Sequence, residues 1–256
     1  MRNPLIKRLP RELKGDIGKY LVIFLFMTML ISLVSGFLVA DNSVYDAYKK
    51  GFDKYNVEDI NFVTSDKLSD EVKDGLEKEN NVKIYDQRYY ELKEAKRNAT
   101  IRIYGERKDV NRLCIMSGRL AKTDDEIALD RVFAKNNNYK AGDKIKLGRK
   151  EYKITGFVAM PDYSCLFEDN ADMMFDSVNF GVAVMTDFGI QKLNKSKLNY
   201  CYAVKYDKTP ANDQKQKDMS DDFLESLVKK AVVTSFVPRY SNKAINFTGD
   251  DMGGDK

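Results

Sequence analysis

"EIALDRVFAKNNNYKAGDKIKLGRKEYKITGFVAMPDY", Glu126 to Tyr163, changes its hydrophobic period twice within one stretch. Glu126 to Leu129 predicts a strand, and Asp130 stands where a carboxylate caps a short helix carrying Val132 and Phe133. Gly142 and Asp143 turn the chain into the strand "KIKL", Gly148 to Lys150 turns it again, and "EYKITGFVAM" returns until Pro161 closes it. Tyr152 and Ile154 alternate with charged neighbours, as on a sheet with one wet face. The order predicts an α+β fold, a mixed β-sheet with helices packed on it.

The flanks extend this pattern. "DINFVTS" is strand-like, and "LSDEVKDGLEKENN" sets Leu68, Val72 and Leu76 on one helical face, with Asn80 and Asn81 ending it. "VKIYDQRYYEL" and "TIRIYGE" are β-rich, separated by the polar "KEAKRNA", and predict a hairpin or two neighbouring strands. "NFGVAVMT" and "YCYAVKY" predict strands around a short "DFGIQKL" element. After the loop "DKTPANDQKQKD", Ser220 is expected to start a helix, with Asp221 and Asp222 early and Lys229 and Lys230 late, as the helix dipole favours. "AVVTSFVPRY" is the expected last strand, and "NKAINFTGDDMGGDK" is polar and Gly-rich. No internal repeat is visible.

Upstream lies "GKYLVIFLFMTMLISLVSGFLVADN", uncharged from Tyr20 to Ala40. At about 1.5 Å rise per residue it is long enough to cross a hydrocarbon core of about 30 Å. A cleaved export signal has a shorter apolar region and small residues before the cut, whereas Leu38 is bulky, so an uncleaved transmembrane helix is predicted. Arg2, Lys7, Arg8, Arg11, Lys14 and Lys19 precede it against Glu12 and Asp16, while Asp41 and Asp46 come first beyond it. The basic end therefore faces the cytoplasm. Its excess of four positive charges equals the chain's net charge of +4, so the exported part is formally neutral and gives no basic patch for nucleic acid. Residues 1–19 read as a basic amphipathic segment against membrane lipids. Val44, Tyr48, Phe52 and Tyr55 keep one face apolar beyond the span, which fits either an outward stalk or the first helix of the domain.

With no His in the chain there is no His-activated nucleophile, His general base or imidazole metal site. Cys114, Cys165 and Cys201 are odd in number, and buried thiols are expected rather than a disulfide framework. "GDKIKLGRK" lacks the spacing and the Lys-Ser/Thr end of a phosphate loop and falls between strands. "FEDNADMMFD" gathers Glu168, Asp169, Asp172 and Asp176 without the alternation and Gly of a calcium loop, and reads as a solvated acidic loop. Three matches to the glycosylation acceptor pattern, "NAT", "NKS" and "NFT", are of the number chance supplies. Tyrosines and phenylalanines are read as core. No catalytic, cofactor-binding or metal-binding residue is assigned, and substrate contacts stay open.

The run "MSGRLAKTDDEIALDRVFAKNNNYKAGDKIKLGRKEYKITGFVAMPDYS" resembles the extracytoplasmic domain of FtsX-like, MacB-type permeases of ABC transporters, with "SGRL", "DEIAL", a short helix, "GDKI" and "ITGF" in that family's order. "LPRELKGDIGKYLVIFLFMTML" is similar to the basic lead-in and first membrane helix of such permeases, particularly those of Gram-positive bacteria. The resemblance covers most of residues 9 to 165. It implies an ectodomain inserted between the first two membrane helices, a non-catalytic subunit, and mechanical coupling to a cytoplasmic ABC ATPase. It also implies a second permease half or homodimer partner, and as cargo or target an extracellular peptide, lipid, lipoprotein or cell-wall enzyme.

The expected layout is a cytoplasmic segment 1–19, a transmembrane helix 20–40, a stalk helix 41–58, an extracytoplasmic domain 59–240, and a polar linker 241–256 toward a second membrane helix outside this chain. The expected location is the bacterial plasma membrane, the domain after Ala40 being extracytoplasmic. The competing expectation is a single-pass anchored sensor or ligand-binding domain with a deep pocket. An anchored hydrolase using two carboxylates across a cleft is a third.

Overall fold

The computed structural model describes residues 14–194 and 198–253, which fall into two compact units divided between Tyr48 and Lys49. Helix α1, Ile17–Lys54, is a single element. Its stretch Ile17–Phe37 is long and apolar enough to cross a membrane, and none of that stretch is buried by the protein. The helix ends in a Schellman motif: Asn56 takes the left-handed conformation (φ 48°), its N–H donates to the Asp53 carbonyl (3.2 Å), and the Val57 N–H donates to the Phe52 carbonyl (2.9 Å). The basic segment 1–13 lies outside the described residues.

The second unit contains a ferredoxin-like arrangement split by a large insertion. Strand β1 (Ile60–Thr64), helix α2 (Asp70–Asn80) and strand β2 (Val82–Asp86) form its first half; β10 (Leu198–Tyr206), α5 (Asp213–Val228) and β11 (Val233–Pro238) form its second. The strands lie in the order β11-β1-β10-β2, every pair antiparallel, which is the split β-α-β topology. Helix α2 keeps the expected face and ends: Ser69 caps it by accepting from the Val72 N–H, Leu76 is buried, and Asn81 closes it at φ 52°. Phe62 joins the halves, 5.1 Å from the Tyr202 ring and 5.8 Å from the Phe223 ring.

Helix α5 starts seven residues before the Ser220 predicted from the sequence, at Asp213. Asn212 caps it by accepting from the Lys215 N–H, so the second half of the polar run read as loop, from Asp213 on, forms its exposed first turns. Ser220 is fully buried in mid-helix, sharing a hydrogen bond with the Tyr206 hydroxyl (2.7 Å).

The insertion carries β3 (Tyr89–Lys93), β4 (Thr100–Tyr104), β5 (Cys114–Gly118), β6 (Glu126–Asp130), α3 (Arg131–Asn136), β7 (Lys144–Leu147), β8 (Lys150–Ala159), β9 (Phe180–Val184) and α4 (Asp187–Gln191). It continues the sheet from β10 in the order β3-β4-β9-β6-β8-β5, with β4/β9 and β6/β8 parallel and β7 folded back on β8. "VKIYDQRYYEL" is thus two strands, since β2 pairs with one stretch of β10 and β3 with another. The block at Glu126 folds as its pattern predicts. Asp130 caps α3 by accepting from Val132 and Phe133 N–H, and Phe133, Ile127, Leu129, Ile145 and Ile154 are buried together in a core separate from that around Phe62. The segment from 241 carries helix α6 (Lys243–Gly253), with Ala244 and Ile245 buried.

The glycines of "SGRL" and "ITGF" face one another. A Cβ on Gly118, at φ 71°, would lie 2.4 Å from the Thr155 carbonyl oxygen, and one on Gly156 would lie 2.5 to 2.7 Å from backbone atoms of Arg119 and Ser117. Side-chain adjustment does not relieve a clash with backbone. Gly156→Ala is therefore expected to destabilise the domain by about 3 kcal/mol, at the upper end of overpacking effects, read as a lowered urea midpoint with an unchanged slope.

Candidate functional site

The exit of α1 is gripped by the loop between β4 and β5. The last helical carbonyls lack intrahelical donors, and this loop supplies them. Arg112 Nη2 donates to the Lys54 carbonyl (2.7 Å), the Arg112 N–H to Tyr55 (2.8 Å), and the Asn111 N–H to Asn56 (3.0 Å). Asn56 Nδ2 donates in return to the Asp109 carbonyl (2.7 Å).

Asn111, fully buried and itself left-handed at φ 50°, then clasps Glu58. The Glu58 N–H donates to Asn111 Oδ1 (2.9 Å), while Asn111 Nδ2 donates to Glu58 Oε2 (2.8 Å). Asn61 Nδ2 donates to the same oxygen at 3.2 Å. The ferredoxin-like half holds the exit from the other direction: Lys205 Nζ donates to the Val57 carbonyl, Asp59 pairs with Lys205 (3.2 Å) and Arg239 (2.8 Å), and the Arg239 guanidinium stands 5.3 Å from the Phe52 ring.

Behind the clasp lies a buried polar network. Arg107 Nη1 donates to both carboxylate oxygens of Asp162, each at 2.7 Å, and its guanidinium stacks 3.9 Å from the Tyr104 ring. Tyr104 and Tyr163 share a hydroxyl hydrogen bond of 2.7 Å; Arg102 donates to the Tyr163 hydroxyl (2.8 Å), to Glu91 Oε1 (2.7 Å) and to the Glu168 carbonyl (2.9 Å). Glu58, Asn61, Arg102, Asp162, Tyr163 and Cys201 line a cleft of about 240 Å³.

Burial, with the nearby Asp162 charge adding to it, raises the Glu58 carboxyl from 4.5 to about 8 against the opposing pull of Asn111, Arg107 and Asn61. Burial, then Glu58, pushes the Cys201 thiol up to about 12, so it is not a thiolate nucleophile at neutral pH. Burial is the largest influence on Arg107 and opposes its charge, but Asp162, Tyr104 and Tyr163 together outweigh it and raise its pKa. The chemistry on display is that of a structural joint.

None of Glu58, Asn111, Arg107 or Asp162 stands out in the sequence, where they are four among many polar residues. The acidic loop is a set of turns: Asp169 accepts from the Ala171 N–H, Asp172 from Asp169, and Asp176 from Val178 and Asn179. "GDKIKLGRK" is the β7–β8 hairpin, with Gly142 at φ 98° and Gly148 at φ 59°. Cys114 and Cys165 are half-buried and free, and Cys201 is buried and free.

No protein-family model matches the chain, and no curated protein matches it. Among solved structures it is similar to the periplasmic region of MacB from Actinobacillus actinomycetemcomitans, at 16% identity over 75% of this chain and 92% of the other, with a TM-score of 0.40. It is also similar to the extracellular domain of the noncanonic ABC-type transporter YknZ from Gram-positive bacteria (12%, 70% and 99%, TM-score 0.37) and to a domain of a putative permease protein from Porphyromonas gingivalis (9%, 68% and 84%, TM-score 0.32).

Because the folded Glu58 binds its proton more tightly than the unfolded chain does, the folded state holds the extra proton between about pH 4.5 and 8. Its contribution is favourable below that window, declines as pH rises through it, and levels off above. Urea unfolding across pH 4 to 9 is expected to show this decline, and Glu58→Gln, which keeps the acceptor for Asn111, is expected to flatten it.

Proposed function

We propose that this chain is a transmembrane permease subunit of a bacterial ABC transporter of the FtsX/MacB type. Its extracytoplasmic domain is moved by ATP-driven membrane helices to export or extract a peptide, lipid or lipoprotein, or to regulate a cell-wall enzyme. In this reading the N-terminus is cytoplasmic, the domain after Ala40 is outside the plasma membrane, and a separate or fused ABC ATPase hydrolyses the nucleotide. A second permease half or a second copy completes the membrane part.

The observation that carries the reading is the fastening of the α1 exit to both halves of the second unit. Movement entering at Lys54 to Glu58 meets the β4–β5 loop through Asn111 and Arg112, and meets β10 and the residues after β11 through Lys205 and Arg239. A mechanical relay needs such a fastening and no reactive side chain. The motifs "SGRL" and "ITGF", with the apolar helix and its basic lead-in, add the family resemblance.

Two measurements test the reading. In a background with serine at positions 114, 165 and 201, a cysteine at Ser65 is expected to react with a membrane-impermeant maleimide in intact cells, and one at Arg8 only after lysis. The tagged native protein is expected to co-purify with a cytoplasmic ATPase in mild detergent. Labelling at Arg8 in intact cells, or purification with no ATPase, would overturn it.

Asn111→Ala leaves the buried Glu58 carboxyl with only the longer bond from Asn61 and its N–H without an acceptor, and is expected to destabilise the domain by about 1–3 kcal/mol. Hydrogen exchange should accelerate at the Glu58 and Arg112 amides while ATPase co-purification is kept.

A further inference from the structure

The geometry points to the loop from Glu168 to Val178 as a docking surface for a cationic amphipathic peptide segment. The loop is pinned. Asn170 Nδ2 donates to the Ser241 carbonyl (3.0 Å), the Lys243 N–H donates to Asn170 Oδ1 (2.9 Å), and Lys243 Nζ donates to the Asp172 carbonyl (2.7 Å). Its own Phe175 packs against Phe167 and Phe247 in a ring cluster with centroids 5.4 to 6.1 Å apart.

A loop so held packs Phe175 against its neighbours, yet it turns Met173 and Met174 out. Met173 is 92% exposed, the most exposed large apolar side chain among the described residues, and Met174 is 66% exposed. Adjacent exposed apolar groups on a fixed backbone mark an interaction surface, and methionine adapts its unbranched chain to partners of varied shape.

The charge around the patch selects the partner. Glu168, Asp169, Asp172 and Asp176 share its loop, outnumbering Lys243, the one ammonium bonded to that loop among the described residues, and none of the four has an ion-pair partner among the described residues. Hydrogen bonds from the Asn179 side chain and backbone hold the Asp176 carboxyl below its ordinary value, so it is ionised at neutral pH. An apolar centre with an acidic rim complements a helix with one apolar face flanked by Lys and Arg. A lipid surface is the poorer fit, since segments that dip into anionic membranes flank their apolar tip with basic residues. The surface requires only the folded domain, so its failure leaves the permease reading standing.

The test uses the full chain in phosphatidylcholine nanodiscs with ¹³C-methyl methionine, titrated with a helical Leu/Lys peptide and with its Leu/Glu counterpart. Saturable movement of the Met173 and Met174 methyl signals is expected with the Leu/Lys peptide alone, and Met116 on β5 should stay still. Met173→Ser with Met174→Ser is expected to weaken binding about tenfold or more while leaving the urea midpoint unchanged, both side chains being exposed. Binding should also weaken as salt rises. Three results would overturn the proposal: motionless Met173 and Met174 methyls, equal response to both peptides, or movement of these methyls on transfer from detergent to nanodisc without any peptide, which would assign the surface to lipid.

Discussion

Strand β10 must satisfy two sheets at once, and the architecture of the second unit depends on that double duty. Its first residues, Leu198 and Asn199, pair with β3 of the insertion, while Tyr200 to Val204 pair with β1 and Tyr202 to Tyr206 with β2. Backbone pairing is obligatory in a buried strand, so the register of one half constrains the position of the other. Two hydrophobic cores form on the sheet so made, one around Phe62 and Phe223 and one around Phe133 and Ile154. Asn61 on β1, Cys201 on β10 and Glu58 ahead of β1 line a polar cleft together with Arg102 and Asp162 of the insertion.

That placement follows from what buried polar groups do well. An apolar joint of the same volume would add more stability but would accept many arrangements. The Arg107–Asp162 pair and the Asn111–Glu58 clasp are satisfied only in one geometry, and leaving either partner alone is costly. The left-handed asparagines at positions 56 and 111 serve the same end: each turns the backbone sharply while its side chain spans to the opposing segment. The joint is specified by hydrogen-bond direction.

What was legible in the sequence was local. Asp130, Phe133, Gly142, Gly148 and Pro161 each act within a few residues of themselves, and the strand, helix and hairpin they predict are present. The apolar run before Phe37 and the face of α2 were legible for the same reason. The ferredoxin-like pairing was not, because its halves are separated by the whole insertion and no periodicity records which strands meet. The first turns of helix α5 are solvated and lack an apolar stripe, so its periodicity becomes visible only late in the helix. The clasp gave no signal: one buried glutamate and one buried asparagine, 53 positions apart, resemble every exposed one until the fold brings them together.

The insertion also leaves and re-enters its host at neighbouring points. Asp86, the last residue of β2, is paired with Tyr202 of β10, and the Gln87 N–H donates to the Cys201 carbonyl. The chain thus departs and returns through a doorway only a strand wide, and the host sheet closes behind it. Such a gateway confines the host's covalent links with its insertion to one edge of β10, so the two halves keep their places through strand pairing and the polar clasp and not through the linking chain.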